Sequence, residues 1–284
     1  MKTINSPKPI IEVFIKDNFI DYIDHKGGWE SRAESTIKLF KEAFKPIKNI
    51  ENCKVKHFYI HIGDVSKNYD NKLTFGYTNS DDVVLCPDFT FDNWIECGIE
   101  DYEKTTQRIL EKGEKTYSSE KLFWIGNLNT QYLRHVLYDL GKRNREKLEI
   151  IPMDWIRFAP KGKQHNYTHY VSLEDHTLYK YLIDTGARGW SARVKFLLFT
   201  SRPLFLVERE RMKQDFFHCK LKPYEHYIPV SKDLSDLMDQ LEWADNNYDK
   251  AQIIAQTAKD FAVNNLNKQQ AIKYLTHQLN AYLF

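Results

Sequence analysis

From Leu122 onward the chain alternates short apolar runs with amphipathic helical stretches, and this alternation restricts the fold more than any other feature. Leu122–Ile125 leads through Gly126-Asn127-Leu128-Asn129-Thr130 into a helix with Leu133, Val136, Leu137 and Leu140 on one face and Gly141 at its end. Leu148–Met153, residues 181–184, Leu204–Val207 and Tyr227–Val230 read as further strands, with helices predicted over 191–200 and through Leu234, Leu237, Met238 and Leu241. Parallel strands need a crossover of a dozen or more residues, usually a helix, so the pattern predicts an α/β fold with parallel sheets covered on both faces. Such sheets bind ligands outside the carboxyl ends of their strands.

The first half is less regular. Ser31 and Glu34 form a capping-box pattern ahead of Ala33, Ile37, Phe40 and Phe44 at helical spacing, and Pro46 closes that helix. His57–Ile62 has the composition of a buried strand and runs directly into Gly63-Asp64, which places a carboxylate at a strand's carboxyl end. A strand over Asp82–Leu85, the aromatic segment Phe89–Trp94 and a charged helix from about Ile99 to Glu114 follow, with Tyr117–Glu120 as a connector between halves. The last stretch, Lys250–Phe284, reads as helical with a soft spot at Asn264-Asn265.

The run Tyr179–Lys195 carries the chemistry. It reads as a strand ending at Asp184, a turn held open by Gly186 and Gly189, and a helix start bearing Ser191, Arg193 and Lys195. Helix starts leave backbone N–H groups unpaired and carry partial positive charge, so the pattern fits an anion such as a nucleotide diphosphate. Gly-x-x-Gly ahead of a helix also occurs as a plain strand-to-helix connection, and the local pattern leaves both readings open.

Composition narrows the partners. Across 284 residues, 41 Lys plus Arg nearly balance 39 Asp plus Glu, so no global field argues for nucleic acid and any basic site is local. The cysteines, Cys53, Cys86, Cys97 and Cys219, have neither Cys-x-x-Cys spacing nor the density of a disulfide framework. The apolar patch Ile10–Ile15 is interrupted by Glu12 and is too short for a membrane span. These features lead to the expectation of a cytoplasmic protein.

Several linked motifs share one order. Lys180-Tyr181-Leu182-Ile183-Asp184, Gly189-x-Ser191-x-Arg193-x-Lys195, Leu221-Lys222-Pro223-Tyr224-x-His226-Tyr227-Ile228-Pro229-Val230 and Asp233-Leu234-Ser235 follow one another with the spacing of glycosyltransferase family 90. The chain resembles that family from about residue 122 to 262. The resemblance implies a GT-B architecture: two Rossmann-like domains facing each other across a cleft. Residues 1–118 would form the acceptor-side domain, 119–262 the nucleotide-sugar domain, and 263–284 a helix packing back on the first.

The resemblance further implies inverting transfer from a UDP-sugar of glucose or xylose type, with no catalytic metal and no cofactor. The acceptor would be a hydroxyl of a bacterial glycan such as lipopolysaccharide, including a lipid-linked form met at the cytoplasmic face of the inner membrane. Members with a secretory signal and a disulfide-rich N-terminal region differ from this chain. Ser191 and Arg193 fall on the family's phosphate-binding Ser-x-Arg, Arg134 on its arginine after the turn at Gly126, and Asp64 on its catalytic aspartate. Gly189 and Lys195 complete the donor-side set. This turn has Gly186 where eukaryotic members place arginine, and Trp190 where they place a small residue.

The chemistry agrees with those assignments. Inverting transfer needs one base for the acceptor hydroxyl and one cradle for the leaving diphosphate. No Asp-x-Asp occurs in the sequence, so helix start and arginines would neutralise the leaving group. Asp81, Asp82 and Asp88 stand next to Asp64 as candidate bases. Phe89–Trp94 reads equally as core or as a sugar-stacking surface, and Glu208 and Glu210 equally as donor-sugar contacts or a charged loop. His165, His169 and His176 read as solvated loop histidines rather than metal ligands, and Asp233 as a helix cap near the uridine site. A nucleotide-cofactor oxidoreductase lacks its Gly-x-Gly-x-x-Gly here. A non-catalytic nucleotide- or carbohydrate-binding protein is the remaining alternative.

Overall fold

Glu12 interrupts the apolar run Ile10–Ile15 because that run is a strand with one half-covered face. Its carboxylate lies between His57 Nε2 (2.7 Å) and His25 Nε2 (3.0 Å), while Ile11, Val13 and Ile15 are buried on the opposite face. The structure, a computed structural model, describes residues 7–17, 19–28, 30–154 and 169–284. Strand β1 (Ile10–Lys16) pairs antiparallel with both β2 (Phe19–Asp24) and β3 (His57–His61). Strands β4 (Thr74–Gly76) and β5 (Val84–Leu85) then add in parallel, giving the order β2-β1-β3-β4-β5. The N-terminal sheet is thus mixed, because the Ile10–Ile15 segment folds as a hairpin that extends the three parallel strands.

Helix α1 (Glu30–Phe44) covers this sheet, and its first turn corrects the expected capping box. Ser31 lies inside the helix and donates instead to the Glu96 carboxylate at 2.7 Å. Helix α2 (Tyr102–Gly113) starts at Asp101, whose side chain accepts from Lys104 N at 2.9 Å, a cap worth about 1 kcal/mol.

The second sheet is wholly parallel. Strands β6 (Ser119–Gly126), β7 (Leu148–Pro152), β8 (Tyr179–Asp184), β9 (Leu204–Val207) and β10 (Ile228–Val230) take the order β10-β9-β8-β6-β7. Helix α3 (Tyr132–Arg143) joins β6 to β7 and runs past Gly141, where the missing side chain lets the helix pack against Ile150. The expected helix over 191–200 is only α4 (Val194–Leu198), with turns on either side. The C-terminal stretch forms α5 (Leu237–Asn246), α6 (Tyr248–Asn265) and α7 (Lys268–Leu283), and the break after α6 falls at the anticipated soft spot.

Helix α7 returns to the first half. Thr276 Oγ1 donates to the Ala43 carbonyl of α1 at 2.9 Å, and Leu283 O accepts from Lys54 N at 2.7 Å. One hydrophobic core runs through both halves, joining Phe40, Phe58 and Phe91 to Phe123, Phe196 and Leu204. The two sheets therefore meet over packed apolar surface, and the cleft between them is bounded on a fixed frame. Among the described residues no helix is long and apolar enough to cross a membrane.

Candidate active site

The order of the second sheet locates its crevice. From β6 the chain goes to β7 on one side, then crosses back to place β8 on the other, so the crevice opens beyond Gly126 and Asp184, the carboxyl ends of β6 and β8. Asp184 organises the turn that follows. Its carboxylate accepts from Gly186 N and Ser191 Oγ, both at 2.8 Å, and pairs with Arg209 at 2.9 Å and Arg193 at 3.3 Å. Burial alone would raise this carboxyl's pKa. The guanidiniums of Arg209 and Arg193, with the Ser191 and Arg209 hydrogen bonds, hold it well below the usual carboxylate range.

Arg134 reaches in from α3 and ties the two turns together. Its Nη1 donates to Asn127 O at 2.8 Å, and its Nη2 and Nε donate to Gly186 O at 2.5 and 3.2 Å. Burial pushes its pKa down to about 10, the Arg193 and Arg209 charges adding to the shift. Three guanidiniums therefore surround one buried carboxylate, leaving positive charge in excess. A bound polyanion would complete the site.

The opposite wall comes from the N-terminal half. Asp64 follows β3, and its side chain is 58% exposed to the cleft. Arg32 of α1 donates to Asp64 Oδ1 and to Ile62 O, each at 3.0 Å, and its guanidinium lies over the rings of Phe89, Trp190 and Trp94 at 4.7, 5.7 and 5.9 Å. A cavity of about 360 Å³ separates the two walls, and Asp64, Gly126, Arg134, Ser191 and Arg193 all line it. These expected site residues, far apart in sequence, share one space.

Other expected residues lie elsewhere. Gly189 packs against the Asp64 main chain, where a Cβ would fall 1.5 Å from the carbonyl oxygen, so its role is close approach between the walls. Lys195 corrects the expectation that it reaches the anion. Its ammonium is fully buried against Asp88 Oδ2 at 2.6 Å, over the Phe91 ring, and does not line the cavity. The same ion pair removes Asp88 from the candidate bases, and Asp81 is exposed and paired with Arg211 at 3.1 Å. Asp82 is also exposed and outside the cavity wall.

Phe89 and Phe91 are buried core, whereas Phe89 and Trp94 also reach the cavity wall. His176 is buried rather than solvated, and His165 lies outside the described residues. No group of three or more His, Cys, Asp or Glu among the described residues is arranged to hold a metal ion. Asp233 accepts from Ser235 N and Oγ in the turn ahead of α5, whose first flanking residue is Asp236.

A second pocket of about 280 Å³ opens at the carboxyl ends of β9 and β10, lined by Glu208, Arg209, His218, Tyr227 and Asp236 among others. Glu210 lies outside it. Arg209 links this pocket to Asp184. The sequence did not single out Arg32, Glu96 or Arg209, and His176, expected as a solvated loop residue, lies in a cavity wall instead. Arg32 left one signal, a charged residue at helical spacing with the buried Thr36, Leu39 and Ala43.

Two α/β halves, each built on a sheet with parallel strands and enclosing a cleft between them, have the arrangement of the GT-B fold. The chain belongs to glycosyl transferase family 90, whose pattern matches residues 66–283. It is 38% identical over 112 residues to protein O-glucosyltransferase 1 of Rattus norvegicus, covering 39% of this chain and 28% of that protein. It is also 30% identical over 316 residues to the uncharacterized protein 179R of Invertebrate iridescent virus 6, covering 96% of this chain and 25% of that one. The match thus spans about a quarter of the length of each relative. Among solved structures, Anabaena Alr3699/HepE in complex with UDP aligns with a TM-score of 0.40 and 7% identity, over 62% of this chain and 44% of that one.

Proposed function

We propose that this chain is an inverting, metal-independent glycosyltransferase that moves a sugar from a UDP-sugar to a carbohydrate hydroxyl. The observation that carries the reading is the placement of Asp64 across one cavity from Arg134, Ser191 and Arg193. In it, residues 1–118 supply the acceptor side, 119–262 hold the donor, and 263–284 clamp the first half from behind. The nucleoside occupies the pocket at the ends of β9 and β10, the diphosphate bridges past Arg209 to Arg193 and Arg134, and the sugar points at Asp64.

Transfer is a single displacement. The Asp64 carboxylate takes the acceptor hydroxyl's proton, the acceptor oxygen bonds to the anomeric carbon, and the bond to the diphosphate oxygen breaks on the opposite face. Arg32 holds Oδ1, leaving the other carboxylate oxygen to receive the proton. The departing UDP carries the bonding electrons, and the guanidiniums of Arg134 and Arg193 stabilise its charge. Because α4 has five residues, its dipole adds little, and the side chains carry the electrostatic work.

Relatives named protein O-glucosyltransferases make UDP-glucose the first donor to test. The experiment is calorimetric titration with UDP, then transfer from UDP-glucose to a glycan acceptor panel in EDTA, with product stereochemistry read by NMR. Binding of UDP and inverted product in EDTA support the proposal. Retained configuration, or transfer only after Mn²⁺ or Mg²⁺ is added, overturns the mechanism. Binding of UDP with neither transfer nor donor hydrolysis indicates a non-catalytic binding protein.

A further inference from the structure

A smaller chamber of about 140 Å³ adjoins the charged cavity. The two share Trp94, Ile125, Met153 and Arg193 in their walls, so they are contiguous. The rest of the chamber wall is largely apolar, from side chains such as Leu173 and Phe196, but His176 is part of it. This histidine is 3% exposed, and its Nε2 is buried with no hydrogen-bond partner among the described residues. An orphaned buried nitrogen costs about 1–3 kcal/mol unless something fills the vacancy.

The tautomer is set by geometry. His176 Nδ1 lies 2.8 Å from the Ser172 carbonyl oxygen, which can only accept, so Nδ1 carries the proton. Nε2 therefore presents a lone pair and can only accept. Burial, reinforced by the nearby Arg193 charge, pushes the imidazole pKa down to about 3, so the ring stays neutral. The turn is braced from the other half of the molecule: Lys112 pairs with Asp175 at 2.6 Å and Arg108 with Glu174 at 3.2 Å, both from α2. Phe123 meets the imidazole edge-on at 5.0 Å.

We infer that this chamber receives one edge of the transferred sugar, and that a hydroxyl of that sugar donates a hydrogen bond to His176 Nε2. The inference rests on the UDP-sugar reading above and adds a residue that selects the donor sugar. Arg193 borders the chamber and Asp64 does not, which puts the chamber on the leaving-group side of the cavity rather than the acceptor side. The sugar is the group bonded directly to the diphosphate, so its ring is what lies next to Arg193. A largely apolar wall in which His176 offers a neutral acceptor, with His169 and Tyr170 also lining it, suits a pyranose edge that sets hydroxyls beside C–H surface.

The test is calorimetry with UDP, UDP-glucose and its monodeoxy analogues on the wild type, His176→Phe and His176→Gln. In the wild type one deoxy analogue should bind roughly tenfold more weakly than UDP-glucose. In His176→Phe, UDP-glucose itself should lose that factor, UDP should bind as before, and the same analogue should lose nothing more, as coupled partners require. Gln places an amide oxygen near the position of Nε2 and should restore part of the discrimination. Normal UDP binding with wild-type discrimination in both variants overturns this inference alone. If the Phe variant does not fold, His176→Leu takes its place, because wild-type discrimination in a folded variant without an acceptor also overturns it. Failure of the wild type to bind UDP overturns the donor reading, and the inference with it.

Discussion

Gly189 lies so close to Asp64 that a Cβ built on it would fall 1.5 Å from the Asp64 carbonyl oxygen. The phosphate-side turn and the strand exit bearing the carboxylate thus touch through main chain alone. Asp64 has no freedom to shift relative to Ser191 and Arg193 without moving that contact, so the proposed base and the proposed diphosphate cradle are held at one spacing. Preorganisation of this kind lets a static carboxylate act on an acceptor with little rearrangement.

Gly189→Ala should therefore separate the walls. The clashing atom is backbone, which gives way only by displacing β3's exit or the turn, at a cost of about 1–3 kcal/mol as for other overpacked sites. Thermal melts should show the loss, and transfer should fall further than the lost stability accounts for at a temperature where the variant is folded. Full activity in Gly189→Ala would show that the spacing between the walls is not critical.

Asp64→Asn keeps the size of the side chain and its contact with Arg32 but removes the proton acceptor. Transfer should drop by roughly 10²–10⁴-fold. UDP affinity should stay within error of the wild type, because the donor contacts come from the other wall. Near-normal turnover would assign the base to another group on the same wall, with Glu96 first, since it also lines the cavity.

Arg193→Ala tests the cradle. One charge-assisted contact to the diphosphate is worth about 1.5–3 kcal/mol, so UDP should bind correspondingly more weakly by calorimetry. Arg193 also donates to Ile125 O at 2.6 Å, so circular dichroism must first confirm the fold. Unchanged affinity in a folded variant would return this arginine to a purely structural role.

Asp184 sets an acid limit on stability. Its folded-state pKa is depressed, so its contribution is complete above the unfolded-chain value of about 3.9 and is lost as pH falls below that toward the folded value. At pH 7, Asp184→Asn should lose about 3–5 kcal/mol, since it leaves two guanidiniums without their counter-ion. Urea unfolding at pH 7 and pH 3 should show that gap narrowing in acid. A gap equally wide at both pH values means that hydrogen-bond geometry rather than charge accounts for the loss.

The strands and helices of the second half were legible because a parallel strand is buried on both faces and announces itself as an apolar run. Leu122–Ile125, 181–184 and Leu204–Val207 all lie in the observed strands. β4 was not legible, because Thr74–Gly76 is three residues long and draws its burial from neighbouring strands. The first strand was hidden for a related reason: Glu12 breaks the apolar run, and only the histidines contributed by β3 and the end of β2 explain it. Ser31 followed the capping rule in sequence, but the helix starts one residue earlier and Glu96 claims the hydroxyl.

By itself the sequence determined the alternation of elements and the turn around Gly186 to Arg193. Local spacing encodes these, because a strand end, a turn and a helix start each have residue preferences within a few positions. The candidate pairing of Asp64 with Ser191, Arg193 and Arg134 came instead from the resemblance to the family. Only the tertiary structure decided which charges are spent on each other. Lys195 and Arg193 are two residues apart, yet one is sealed against Asp88 and the other faces the cavity, because two steps along the helical turn that starts at Arg193 direct their side chains to opposite sides. Arg32 and His176 joined the site for the same reason. Their neighbours in space come from distant parts of the chain, and no local pattern records which buried atom will be left without a partner.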